Sequence, residues 1–151
     1  MTFPNGCHVC EVEIDPETGV LEICRYTVVE DVGRVMNLTM LTGQMHGGIA
    51  QGVGQSLMER MVYNRDGQPV SGSFMDYAIP RADMMPEVQL HTREVRTQVN
   101  PVGAKGVGEA GTVGSMVCLI NAVCNALGVT HFEMPASPDR IWAALQNKGE
   151  N

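Results

Sequence analysis

The chain has 151 residues, of which 44% are hydrophobic and 18% are charged, as in a globular domain rather than a disordered segment. A formal net charge of −7 argues against nucleic acids and anionic membranes as partners, because both require a basic face. The start MTFPNGCHVC lacks the pattern of a signal peptide, and no apolar run approaches the ~20 residues of a membrane span. We therefore expect a single domain over residues 1–151, in the cytoplasm.

The first half of the chain predicts a β-hairpin and then a helix. Residues 7–14 and 20–29 alternate between apolar and polar side chains, and residues 15–19 supply turn chemistry between them. Residues 34–42 are ambiguous. From Gly43 to Tyr63 the pattern is helical, and a core-facing stripe recurs at Ile49, Val53, Leu57 and Met61.

Glycines cluster within that predicted helix, at Gly43, Gly47, Gly48, Gly52 and Gly54. Each costs about 1 kcal/mol relative to alanine in a helix interior, so the cluster requires a reason. Either another helix packs tightly against it, or a ligand needs close access to the start of the helix. Spacing alone does not separate these two interpretations.

The second half predicts a turn at residues 64–67, a proline-broken loop over 68–86, and one strand or two short ones over 87–99. A glycine-rich loop over Asn100–Gly114 leads into an apolar helix over 112–127, with Gly128 as its C-cap. Ser137 and Pro138 open a last helix as N-cap and first residue.

The resulting order is β-β-α-β-α plus a short C-terminal helix. It predicts an α+β fold of two layers, in which helices cover a mixed β-sheet.

Five cysteines form an odd set, which does not suggest a disulfide framework. Cys118 and Cys124 lie in an apolar run and should be buried thiols. Cys7 and Cys10 should point to opposite faces of a strand, and no second pair exists, so we expect no metal site there.

The loop before the apolar helix contains Glu109 in the run Lys105–Gly111. Gly106-x-Gly108-x-x-Gly111 formally matches a dinucleotide-binding fingerprint, but no buried strand precedes it and Glu109 would repel a pyrophosphate. Alternatively, Glu109 caps the helix. A third interpretation is a general base, because the helix dipole favours a carboxylate there and glycines allow close approach.

Several segments together resemble the C-terminal portion of the molybdopterin-binding subunit in the xanthine dehydrogenase, aldehyde oxidase and carbon monoxide dehydrogenase family. The matching stretches cover nearly the whole chain, and they are residues 3–6, 29–35, 43–52, 72–77, 105–111 and 138–142. Asn37-Leu38-Thr39 departs from this family, many members of which have Asn-Pro at that point.

The resemblance implies roles for four residues. Glu109 matches the catalytic glutamate, and Gln44 matches the glutamine that hydrogen-bonds the molybdopterin. Gln51 and Gly108 are further candidates for cofactor binding, because they belong to the same motifs. No residue is expected to ligate a metal directly. Lys105 either neutralises charge near the site or is a solvated lysine.

The resemblance also implies a function for a larger protein. The chain would be part of a catalytic subunit that hydroxylates an aldehyde or N-heteroaromatic substrate with water as the oxygen source. Iron–sulfur clusters and FAD would be carried by partner domains or subunits, beside the rest of the molybdenum subunit. Alone the chain should be inactive, and exposed apolar surface could cause self-association. The alternative is a binding or assembly module of the same fold without catalysis.

Overall fold

A computed structural model describes residues 1–148, and the last three residues of the predicted domain lie outside this range. The order of elements agrees with the predicted one, with a 3-10 turn added before the third strand. The elements are β1 (Asn5–Ile14), β2 (Leu21–Asp31), α1 (Leu38–Leu57), the 3-10 turn Ala82–Met84, β3 (Val88–Thr92), α2 (Ala110–Leu127) and α3 (Pro138–Lys148).

The sheet is mixed, with β2 in the centre. β1 pairs with β2 in the antiparallel sense, and β3 pairs with β2 in the parallel sense. The register of the hairpin shifts between Glu11 and Val12, so that Cys24 is an extra residue in β2. The inward-facing positions of β2 therefore change from Leu21 and Ile23 to Tyr26, Val28 and Glu30.

Helix α1 begins and ends earlier than predicted. It begins at Leu38 because the side chain of Asn37 accepts a hydrogen bond from the Met40 N–H and caps the helix. It ends at Leu57 because the Gly54 carbonyl accepts from the next two N–H groups, after which the chain turns away. The predicted stripe is buried along the helix, but Met61 lies beyond its end and is 48% exposed.

Strand β3 is shorter than the predicted 87–99 segment and single. The Arg93 N–H still donates to the Glu30 carbonyl of β2, and beyond it side chains take over the hydrogen bonding. The Val95 N–H donates to Asp31, and Glu94 accepts from the Val35 N–H. These bonds end the strand and hold the following loop against the end of β2.

Helix α2 packs against both β1 and α1, and it begins at Ala110, inside the predicted Asn100–Gly114 loop. It is long and apolar enough to cross a membrane, but its Leu119, Val123 and Leu127 are buried in the core of the domain. Gly128 ends it in the left-handed conformation, as predicted.

The other two assignments made for the C-terminal region have different outcomes. Helix α3 begins at Pro138 directly after Ser137, as predicted. Cys118 and Cys124 are only half-buried, so the prediction of buried thiols was wrong in degree.

Candidate functional site

Glu109 occupies the N-cap position of α2, and its side chain makes no capping hydrogen bond. The carboxylate is exposed, and the open positions Gly106 and Gly108 precede it, where an added Cβ atom would meet nothing within 4 Å. Glu109 therefore occupies the capping position, but its side chain supplies no capping bond. The side chain is free to act on a group that approaches the start of the helix.

Glycines bring α1 directly against the start of α2. A Cβ atom added to Gly48 would lie 3.0 Å from the Thr112 nitrogen, and one added to Gly52 would lie 1.8 Å from the Ser115 Oγ. Tight helix packing therefore explains two of the α1 glycines. This contact also fixes the position of α1 along α2. Glu109 lies two residues before Gly111, which takes part in the contact.

Two glycines near the start of α1 lie outside this contact. Gly43 and Gly47 have nothing within 4 Å of an added Cβ atom. Gln44, Gly47, Gly48 and Gln51 recur at helical spacing and share one face of α1. We call this the glycine face. It contacts α2 from Gly48 onward and is open at Gln44 and Gly47. Tight packing thus applies to Gly48 and Gly52, and Gly43 and Gly47 leave open space at the start of the helix.

The candidate cofactor residues differ in their surroundings. Gln44 is exposed on the open part of the glycine face, and Gly108 is exposed beside Glu109. Gln51 belongs to the helix contact, because its Oε1 lies 3.3 Å from the Thr112 Oγ1. The Thr112 Oγ1 itself lies 3.0 Å from the Gly48 carbonyl oxygen. The Gln51 side chain thus contacts α2, whereas Gln44 does not share this hydrogen bond.

A cavity of about 250 Å³ opens beside Glu109 between the start of α2 and the hairpin. It is smaller than an apolar groove of about 420 Å³ near Leu57 and Phe74, but two carboxylates and a histidine line it. Its lining consists of Pro4, Gly6, His8, Glu30, Glu109, Ala110, Val113 and Gly114. The cavity therefore gives Glu109 a polar wall on the side of the sheet.

That wall is a buried histidine–glutamate pair. His8 Nε2 lies 3.2 Å from Glu30 Oε1, and the two side chains are 5% and 3% exposed. The other ring nitrogen of His8 lies 2.7 Å from the Tyr26 hydroxyl. Glu30 Oε2 is buried without a hydrogen-bond partner among residues 1–148, so it requires a donor from water or from a bound group.

Two glycines clear the space for this pair. A Cβ atom on Gly6, which faces Glu30 across the hairpin, would lie 2.0 Å from Glu30 Oε1. One on Gly114 would lie 2.5 Å from the His8 ring. Sequence reasoning missed His8 and Glu30. The available signal was that both occupy inward positions of an alternating hairpin, where a charged group requires a partner.

Lys105 anchors the loop that carries Glu109. Its ammonium pairs with Asp31 at 2.5 Å, and the two side chains are 10% and 13% exposed. The backbone adds two bonds, from the Lys105 N–H to the Val32 carbonyl and from the Arg34 N–H to the Gly103 carbonyl. Lys105 is therefore neither a solvated lysine nor a charge directed at the site.

The pH dependence of this anchor is testable. Burial opposes the charge on Asp31, but the hydrogen bonds from Lys105, Val95 and Gly33 outweigh it and lower the pKa below its ordinary value of 3.8. Its stabilisation is thus complete above that value and is lost as the pH falls through the lower pKa of the folded state. We expect Asp31→Asn to lower the free energy of unfolding at pH 7 by about 2 kcal/mol. The variant's stability should also fall less steeply than that of the wild type as the pH is lowered.

Circular dichroism during acid unfolding measures this effect. Asp83→Asn is the control, because the Arg81–Asp83 pair is 3.7 Å apart and 76% exposed, and such surface pairs contribute little. Equal acid limbs for wild type and Asp31→Asn would contradict the anchoring role.

Two other interpretations of the sequence can be judged on this geometry. Residues 100–105 form turns and one isolated bridge, so no strand leads into the glycine loop as dinucleotide binding requires. Cys7 faces outward and Cys10 inward, as predicted. Within residues 1–148 no three His, Cys, Asp or Glu side chains are grouped so that they could hold a metal ion.

Comparison with known proteins agrees with the resemblance. A family model described as a molybdopterin cofactor-binding domain matches residues 1–86. The gamma subunit of the 6-hydroxypseudooxynicotine dehydrogenase complex from Paenarthrobacter nicotinovorans is 37% identical, over 99% of this chain and 20% of that protein. The carbon monoxide dehydrogenase large chain from Afipia carboxidovorans is 33% identical, over 99% of this chain and 19% of that protein.

A solved structure agrees over the same length. Quinoline 2-oxidoreductase from Pseudomonas putida 86 superposes with a TM-score of 0.89 and 34% sequence identity, covering 95% of this chain and 19% of that one. The chain spans about a fifth of the length of the curated relatives that it matches. The predicted α+β fold and family are confirmed, and the chain belongs to the molybdopterin cofactor-binding domains of the molybdopterin-dependent oxidoreductases.

Proposed function

We propose that this chain works as part of a molybdenum hydroxylase, in which Glu109 is the catalytic base and Gln44 binds the molybdopterin. The observation that carries the proposal is the position of Glu109. It stands at the start of α2 without a side-chain capping bond, and it lines a polar cavity. Gly111, two residues later, packs against the glycine face. A carboxylate with no structural bond in such a position is available for proton transfer.

The residues present fit a molybdopterin. Gly47 leaves open a strip of α1 that a Cβ atom would fill, and close approach of a flat ring system requires such a strip. Gln44 offers both a donor and an acceptor beside it, which suits the polar edge of a pterin. Gly108 would allow the same close approach from the side of the loop. Gln51 would support the site by holding α1 and α2 together through Thr112.

The molybdopterin would supply the redox chemistry for oxidising a carbon atom of an aldehyde or an N-heteroaromatic substrate, with oxygen from water. The residues of this chain would handle the proton. The Glu109 carboxylate accepts it, and the start of α2 stabilises negative charge at that point. Glu30 and His8 would hold water in the cavity, because the free Glu30 Oε2 requires a donor.

The proposal requires the rest of a molybdenum subunit, with iron–sulfur clusters and FAD on partner domains or subunits. Phe74 and Met75 are 85% and 93% exposed, as expected of surface that contacts another part of such an assembly. We propose that the chain alone does not turn over substrate. Self-association of the isolated chain would then occur through the same surface.

The role of Gln44 can be tested through cofactor content. We expect Gln44→Leu in the complete enzyme to lower the bound pterin and molybdenum about tenfold or more, because the pterin loses a hydrogen-bonding partner and meets a branched apolar group. Gln55→Leu is the matched control, since Gln55 is exposed on the same helix about 16 Å further along. Metal analysis and pterin fluorescence after release measure both variants.

Two results would count against the proposal. Equal cofactor content in the two variants would remove Gln44 from the site. A native complex that contains no molybdenum or pterin would favour the binding or assembly module without catalysis.

A further inference from the structure

Two thiols meet where β1 packs against α2. Cys10 points inward from β1, Cys118 lies in the third turn of α2, and their Sγ atoms are 3.3 Å apart. Cys10 Sγ also lies 3.5 Å from the Cys118 carbonyl oxygen. The two residues are 108 positions apart in the chain, so the fold alone brings them together.

The two thiols are not equivalent. The hydrogen bond between them lowers the pKa of Cys118, which the nearby His8 and the Tyr26 hydroxyl lower further against the opposing effect of burial. The same hydrogen bond, together with burial, raises the pKa of Cys10. These directions make Cys118 the sulfur that ionises more readily of the two.

The polar surroundings agree with this difference. His8 lies between Glu30 and Tyr26, and its ring nitrogens are 3.2 Å from Glu30 Oε1 and 2.7 Å from the Tyr26 hydroxyl. Both His8 and the buried Tyr26 side chain contribute to the lowered pKa of Cys118.

We propose that Cys10 and Cys118 form a peroxide-oxidisable pair that closes into a disulfide between β1 and α2. The Cys118 thiolate attacks hydrogen peroxide, whose O–O bond breaks to give a sulfenic acid and, after protonation, water. The Cys10 thiol then attacks this sulfur, forming the S–S bond and releasing a second water as its proton leaves. Two thiols are oxidised and one peroxide is reduced.

The geometry requires only a small movement. A disulfide needs the sulfur atoms to approach by about 1.3 Å from their present separation, within the reach of side-chain rotation and small backbone shifts. In a reducing compartment the pair would rest as thiols, and glutathione-type thiols would reopen the bond. The proposal is independent of Glu109 and of the cofactor.

The test uses the complete protein in its native complex. The protein is reduced, freed of reductant, treated with hydrogen peroxide, alkylated, digested and analysed by mass spectrometry. We expect near-complete loss of both free thiols and a linked peptide that contains Cys10 and Cys118 and is released by reductant. Cys7 and Cys24 are exposed and serve as internal references that stay alkylatable.

Variants separate the two roles. In Cys10→Ser, we expect Cys118 to accumulate a sulfenic acid that dimedone captures, because the resolving thiol is missing. In Cys118→Ser, we expect Cys10 to remain reduced. The wild-type experiment needs no variant, so a folding defect in either mutant leaves it decisive. Absence of the linked peptide, or oxidation of Cys7 and Cys24 ahead of Cys118, would overturn the proposal.

Discussion

In the complete enzyme that carries this sequence, Glu109→Gln is expected to lower kcat by about 10³-fold or more while molybdenum and pterin remain bound. The substitution keeps the size and polarity of the side chain but removes its ability to accept a proton, and such a loss typically costs this much. Glu109 makes no capping bond, so the start of α2 loses no hydrogen bond of its own.

Steady-state turnover, metal content and thermal stability should be measured together on the same preparations. Glu13→Gln is the matched control, because Glu13 is an exposed carboxylate on the outer side of β1 and its change alters the net charge equally. A Glu109→Gln enzyme that retains more than about a tenth of the wild-type kcat would exclude Glu109 as the base. Loss of bound cofactor would instead assign Glu109 to binding.

Local signals predicted most of the elements of this fold. The hairpin, Gly128 and Ser137–Pro138 follow from turn and capping chemistry that acts within a few residues. The boundaries of α1 were missed because they depend on two less conspicuous groups, the Asn37 side chain and the Gly54 carbonyl. Leu38 is the first residue of the helix, a position that also accepts proline, so its departure from the family leaves the fold unchanged.

The candidate site was harder to predict because its parts are distant in sequence. Family resemblance supplied Glu109 and Gln44. Spacing alone also allowed Glu109 to be a helix cap, and the glycines around Gln44 to serve only helix packing. His8 and Glu30 meet only through the hairpin register, which the extra residue Cys24 shifts by one position. That register could not be derived from alternation alone.

Tight packing between α1 and α2 makes the position of Glu109 sensitive to a single added methyl group. A Cβ atom on Gly111 would lie 2.8 Å from the Met45 carbonyl oxygen, 3.0 Å from the Ile49 nitrogen and 3.1 Å from the Gly48 Cα. All three neighbours are backbone atoms and cannot rotate away. We therefore expect Gly111→Ala to force α2 away from α1, and Glu109, two residues earlier, to move with it.

Gly111→Ala is expected to lower the free energy of unfolding by about 2–3 kcal/mol, although alanine itself favours a helix by about 1 kcal/mol. Gly43→Ala is the control, because it brings the same residue into α1 at a position with nothing within 4 Å of the new Cβ atom. Its stability should rise or stay unchanged. In the complete enzyme, kcat of Gly111→Ala should fall more than its cofactor content, because the base moves relative to the glycine face. Equal stability of the two variants in urea unfolding would show that the helix contact tolerates the added methyl group. The contact would then not fix the position of Glu109.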